Sequence, residues 1–422
     1  MKQILIGVLA LTACTAQADW PQYLGPDRNA VAPDTELART WPKGGPKRIW
    51  AVSMGEGFGG ASIHGGEVFL LDRIKSEADV LRCLDFATGD EKWRFRYEAP
   101  GKFSYPGSRT VPTVDNEHIW TVGAFGHLYC FSRKTQEPVW FTNMLEDFDG
   151  EPPGWGVSQA PLIFEDLVIV APQGEKAGLA AYDKKTGELR WTSRKLTGPP
   201  GHASPALGNY GGAPQVIMIS PYDREDPSLT NEVLSVDAKT GEELWSYDGL
   251  HSFATITPPM PIDDRRLFLS DRSYNGEYQP VSIMLDIQRV DGRFTVSELF
   301  KTEVAGSKIH PAVLHNGYLY LNSGRRGDMM RCISLDGENV WTEAPDFHLG
   351  ALLLAGDLII SQSGKAGEIY LIEATPKGYK ELAMASPFSG KGTPWAPLAM
   401  SDGKLLVRDS ETLICLDLRN PG

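Results

Sequence analysis

Leu179-Ala-Ala-Tyr-Asp-Lys-Lys-Thr-Gly-Glu-Leu-Arg-Trp191 is the stretch that decides the fold, because copies of it recur along almost the whole chain. Leu179 to Tyr182 is a short apolar run, Asp183 to Gly187 is a turn in which glycine supplies the positive φ, and Glu188 to Trp191 starts a second strand. One copy predicts a hairpin. Close copies run from Leu81 to Trp93, Leu128 to Trp140 and Val233 to Trp245, and degenerate ones lead from Met284 to Phe300, Cys332 to Trp341 and Leu371 to Leu382. The last copy, Leu413 to Asp417, stops without its second strand.

Two further strand signals precede each copy, as in Pro161 to Val170 and Pro311 to Leu321, so each repeat supplies four strands. The markers Trp50, Trp93, Trp140, Trp191, Trp245, Phe300, Trp341 and Leu382 are 41 to 55 residues apart, the period of a β-propeller. The C-terminal repeat, 397–418, lacks a fourth strand, while an orphan strand ends at Trp50. Joined, they complete a ring and cover two sheet edges that would otherwise template aggregation. The expectation is an all-β, eight-bladed propeller of four-stranded antiparallel blades over residues 46–422, closed by pairing 46–52 with 397–418.

With 44 Gly, 30 Pro and 11 Trp in 422 residues, the composition suits short strands and tight turns in one repeat-built domain. Residues 1–18 read as an export signal: Lys2, an apolar run from Ile4 to Leu11, then Ala16-Gln-Ala18 ahead of Asp19. Cleavage after Ala18 is favoured, but Leu11-Thr-Ala-Cys14 also resembles a lipobox, which would lipidate Cys14. Export to the periplasm or cell exterior follows either way, with membrane attachment only through that lipid. Residues 19–45 form an irregular Pro/Gly-rich entry, expected to pack over the domain's outside. A net charge of −13 excludes a broad nucleic-acid-binding surface.

Cys83, Cys130, Cys332 and Cys415 all fall in one slot of the repeat. One slot in separate, radially arranged sheets keeps thiols too far apart for disulfides, so they read as buried core residues.

With its repeats laid out, the chain resembles the PQQ-like β-propeller repeat family, whose hallmark is the hairpin of Asp183 to Trp191. It looks closest to exported members common in planctomycetes, which open with motifs like Asp19-Trp-Pro-Gln-Tyr-Leu-Gly-Pro26 and contain segments like Gly123-Ala-Phe-Gly-His-Leu-Tyr-Cys130. The resemblance implies two functions. Quinoprotein dehydrogenases use such a ring to hold PQQ and calcium; the outer-membrane assembly lipoprotein of the BamB type uses it as a binding scaffold.

In a propeller, the loops entering each first strand and those joining second to third strands share one face. There the sequence places Arg109, His202, Lys308, His310, His348 and Trp395, together with Arg73, Arg272 and Arg325. Cations and histidines converging on a channel mouth suit an anionic or polar ligand. No catalytic triad or zinc-type histidine pair is recognisable, and no catalytic or metal-binding residue is assigned. Gly55-Glu-Gly-Phe-Gly-Gly60 precedes a strand rather than a helix, against a dinucleotide loop. The leading expectation is a non-catalytic scaffold for a partner protein or a small polar or anionic ligand. The alternative is a PQQ-dependent dehydrogenase of a sugar or alcohol.

Overall fold

The computed structural model describes residues 19–33, 36–223, 231–252, 254–274, 278–324, 328–343, 345–390 and 392–420. Residues 1–18, read above as an export signal, lie outside them, and Cys14 with them. Eight four-stranded antiparallel blades follow one another around the ring, one of them carrying a short fifth strand. In the third blade, Leu162–Phe164, Leu167–Val170, Ala180–Asp183 and Leu189–Thr192 pair in chain order from the channel outward. The eighth blade takes Ala399–Ser401, Lys404–Arg408 and Thr412–Asp417 from the C-terminus and its outer strand, Lys47–Ser53, from the other end of the chain. Lys47 pairs with Asp417 and Ser53 with Thr412, so the ring closes as the repeat count requires.

The recurring hairpin explains itself atom by atom. Asp183 Oδ1 accepts from the amides of Lys185 and Thr186 at 3.0 and 2.9 Å, and Gly187 follows at φ 74°. That is an Asx-type turn closed by a left-handed residue. Each marker aromatic lies opposite the core slot of the third strand: Trp93 opposite Cys83, Trp191 opposite Ala181, Trp341 opposite Cys332. In the seventh blade Ala383, not Leu382, holds that position, opposite Leu371. The register shift after each of these pairs is a bulge, and in that blade the degenerate sequence hides it.

The turn glycine also faces the aromatic of the preceding blade. A Cβ on Gly187 would lie 2.7 Å from the Trp140 ring, and one on Gly241 2.5 Å from that of Trp191. Trp140 Nε1 donates to Lys184 O at 3.1 Å, and Trp50 Nε1 to Phe86 O at 2.9 Å. The repeat motif is therefore a joint between neighbouring blades as well as a hairpin. The core lies in these joints, where Trp191 packs with Val216, Met218, Leu234 and Val236 of the next blade. A tryptophan there removes some 150–250 Å² from water, an upper bound of roughly 4–6 kcal/mol at 25 cal/mol per Å².

All four cysteines described are free and buried, and they belong to four separate core clusters. Burial pushes their thiols up, that of Cys332 to about 11.

The entry segment departs from expectation. Residues 19–32 do not pack over the outside but enter the channel, while Arg39 pairs with Asp357 and Glu373 and Gly45 lies against Ala385 of the outer strand Glu381–Ala385. Trp20 bridges Ile63, Val114 N donates to Pro21 O at 2.8 Å, and Arg28 donates from Nη1 to Pro161 O and from Nη2 to Pro205 O, both at 3.2 Å. Val31–Ala32 then pairs in parallel with Leu354–Ala355, the innermost strand of the seventh blade. These partners belong to the innermost strands of five different blades or to the prolines that open them, and only the channel interior reaches them all. Asp19 Oδ1 accepts from Gly65 N at 3.0 Å, so the segment enters from the face of the Thr-Gly turns. Its coil is tight, with Leu24, Arg28 and Ala30 at φ 53° to 62° beside Gly25. Left-handed non-glycine residues of this kind persist only where their surroundings hold them.

Candidate functional site

Above the inserted segment, on the opposite face, the channel opens into a cavity of about 160 Å³. Loops entering the first strands of successive blades build its wall, contributing Phe58, Arg109, Trp155, His202, Lys308, His310 and Trp395, while Tyr23 reaches it from the inserted segment. The Gly-rich stretch 55–60 sits at the ring seam. A Cβ on Gly59 would lie 2.2 Å from Thr110 O and one on Gly57 2.5 Å from Arg408 Nη2, so glycine here allows close approach. Phe58 N donates to Ser108 O at 2.6 Å, which sets the ring on the cavity edge.

The aromatic groups form a connected rim. Phe58 stacks on Trp395 with centroids 5.7 Å apart, and Trp155 stacks on His202 at 4.9 Å. Tyr105, 45% exposed, lies against both tryptophans, at 6.4 Å from Trp155 and 5.6 Å from Trp395. Arg109 donates to Gly107 O at 2.6 Å and to Tyr105 O, and its guanidinium lies 5.5 Å from the centroid of Phe58. No carboxylate pairs with it among the described residues. Burial, assisted by the charge of Arg73, pulls its pKa down to about 10, and it remains a cation. Lys308 Nζ lies 5.8 Å from the Trp155 ring.

Both histidines are neutral at ordinary pH. Burial first, then the charge of Arg109, brings His202 down to about 4; burial alone lowers His310 to about 4. His310 Nε2 is 3.2 Å from Trp395 O, and since a carbonyl only accepts, Nε2 carries the proton and Nδ1 is an acceptor. Behind the wall, the Asp271 carboxyl accepts from Ser252 Oγ and from Arg272 N, and burial raises it to about 7.

Five residues singled out in the sequence thus meet at one cavity: Arg109, His202, Lys308, His310 and Trp395. Others do not line it. Arg73 is buried as a brace, paired to Asp79 at 2.8 Å and donating to Ala99 O and Gly101 O at 2.6 and 2.9 Å. Arg272 is buried beside Asp271. His348 adjoins Leu349, which lines the cavity in its place, and Arg325 lies outside the described residues. Second-strand ends point between blades, where an arginine braces the backbone; only the residues leading into first strands face the channel. Tyr23 was missed because nothing in the entry's composition distinguishes a channel lining from an outer strap.

Together the fold and the site define a Trp-jointed, eight-bladed propeller with a cation-bearing channel mouth. The chain belongs to the PQQ-type repeat family described as outer membrane protein assembly factor BamB, whose model matches residues 76–343. A quinohemoprotein alcohol dehydrogenase from Comamonas testosteroni is 26% identical over 136 residues, which is 30% of this chain but 19% of that enzyme. The match therefore spans about a fifth of the curated relative. The crystal structure of that enzyme superposes with TM-score 0.65 at 14% identity, covering 96% of this chain and 81% of the other. BamB from Moraxella catarrhalis superposes with TM-score 0.58 at 12% identity, covering 89% and 98%. At such identities the likeness is one of fold.

Proposed function

We propose that this protein is an exported, non-catalytic binding propeller that holds a small anionic ligand, or an anionic group presented by a partner, at its channel mouth. The observation that carries this reading is Arg109: a partly buried guanidinium at the edge of an aromatic cavity, held by carbonyls and with no carboxylate partner among the described residues. A partly desolvated cation lacking a counter-ion is a standing attraction for an anion. Stacked rings and two neutral histidines add flat apolar faces and hydrogen-bonding edges, suited to one ring bearing one acid group.

A quinone held with calcium fits these residues poorly. Among the described residues lining the cavity there is no Asp or Glu to bind a hard cation, and no group of three metal-ligating side chains occurs among the described residues. His202 already lies on Trp155 and Phe58 on Trp395, which limits stacking on either indole.

Calorimetric titration with benzoate, glucuronate and inorganic phosphate, followed also by tryptophan emission, tests the reading. At least one ring-bearing acid should bind saturably, and Arg109→Ala should weaken it about tenfold or more with the melting temperature nearly unchanged. Absence of binding by all three would overturn the proposal. So would a large saturable stabilisation by PQQ with Ca²⁺ accompanied by dye-linked oxidation of a sugar or alcohol, which belongs to the dehydrogenase reading.

A further inference from the structure

Arg28 is the second guanidinium in this channel with no carboxylate partner among the described residues. The inserted segment carries it into the channel, where it spans two neighbouring blades through Pro161 O and Pro205 O and touches its own segment through Gln22 Oε1 at 3.4 Å. Its guanidinium lies 6.0 Å from the ring centroid of Tyr23, and Tyr23 lines the cavity. Burial pulls its pKa down to about 10, so it stays charged at neutral pH. Holding a cation there is unfavourable, and the backbone carrying it includes Leu24, Arg28 and Ala30 at positive φ.

We infer that Arg28 is a further selectivity residue of the anion site, its charge delivered beneath the cavity by the N-terminal segment and acting on the ligand through space behind Tyr23. This rests on the anion-binding reading above. By linkage, an anion in the cavity holds the segment in place as strongly as the seated segment favours the anion. Arg28 contacts no ligand in this arrangement. Its contribution is the field of one charge roughly 10 Å away, which at effective dielectrics of about 20 to 80 corresponds to an affinity change of about two- to twentyfold.

The test compares each acid with its neutral counterpart, benzoate with benzamide and glucuronate with glucose, by calorimetry on the wild-type chain, Arg28→Gln and Arg28→Lys. In Arg28→Gln the ratio of acid to neutral affinity should fall about two- to twentyfold, and Arg28→Lys should restore most of it. Added salt should narrow the difference between wild type and Arg28→Gln. Equal weakening of acid and neutral compound in Arg28→Gln, or no recovery in Arg28→Lys, would overturn the inference while leaving the anion-binding reading intact, because either result makes Arg28 a structural prop. A wild-type chain with no preference for acid over neutral compound would overturn both.

Discussion

His202 and His310 are 8% and 5% exposed, and each is held neutral by its surroundings. An unfolded histidine titrates near 6.5, while both titrate at about 4 in the fold. Above pH 6.5 neither state binds the proton, and the buried neutral form is fully compatible with folding. As pH falls from 6.5 to 4 the unfolded chain takes up protons first, so stability is lost across that window, by about 1.4 kcal/mol per pH unit for each histidine. Asp271 has the opposite sign: its raised pKa favours the fold below about 3.9, and that contribution is lost as pH rises through 7. Urea denaturation at pH 7 and pH 4.5 should therefore show a smaller acid-induced loss for His202→Gln than for wild type; an unchanged loss would mean the imidazole is already protonated or solvated. At this scale the sequence was partly legible. The proline opening a first strand is a visible anchor, which made Arg109, His202 and Lys308 readable. Whether an arginine faces a cavity or braces carbonyls, as Arg73 does, depends on side-chain direction three-dimensionally and leaves no trace in spacing.

At the scale of the hairpin, the Asp-x-x-Thr-Gly turn and the tryptophan that follows are two halves of different joints. Gly187 belongs to the joint with Trp140, while Trp191 belongs to the joint with Gly241. The repeat thus encodes head-to-tail docking of like units, and the pattern was legible because several joints reuse the same two parts, with Gly89, Gly187, Gly241 and Gly337 each set against the aromatic of the preceding blade. A test separates backbone conformation from contact. Gly187→Ala must place a methyl at φ 74° and within 2.7 Å of an indole, whereas Gly212→Ala has φ 76° with nothing within 4 Å. Both should lose about 1 kcal/mol for the left-handed backbone, and Gly187→Ala a further 1–3 kcal/mol for overpacking. Chemical denaturation compares the two; equal losses would show that the indole yields freely. The second blade makes the point from the other side, since Gln136 adopts φ 63° at the corresponding turn without glycine.

Over the whole molecule, the seam of the ring is fastened by charge as well as by strand pairing. Arg408, 1% exposed, pairs from Nη2 with Asp72 Oδ1 at 2.6 Å and donates from Nη1 to Gly59 O at 2.8 Å, while Asp72 Oδ2 pairs with Arg82 Nη1 at 3.0 Å and accepts from Gly55 N at 2.9 Å. Eighth and first blades are thus joined through one carboxylate. Asp72→Asn leaves the buried Arg408 guanidinium without its counter-ion, while Arg82 keeps Glu91 at 2.6 Å, and should lose about 3–5 kcal/mol, whereas Arg408→Met leaves Asp72 still paired to Arg82 and should lose about 1–3 kcal/mol. Urea unfolding gives both numbers, and the reverse order would show that Asp72 is not the hub. The eight-blade count and the exchange of the outer strand were legible from two loose ends of the repeat series. The path of residues 19–32 was not, because an insertion into a channel is set by what surrounds it. That seam also imposes a timetable. Arg408 lies 336 positions after Asp72, and at synthesis rates of 5–20 residues per second the first blade waits roughly 15 to 70 s for its neighbour. Throughout that interval the strand of Trp50 has no sheet to join. A chain built this way can close its ring only once its last strands are available, so a slow, late folding phase that is lost when residues 397–420 are removed is its kinetic signature.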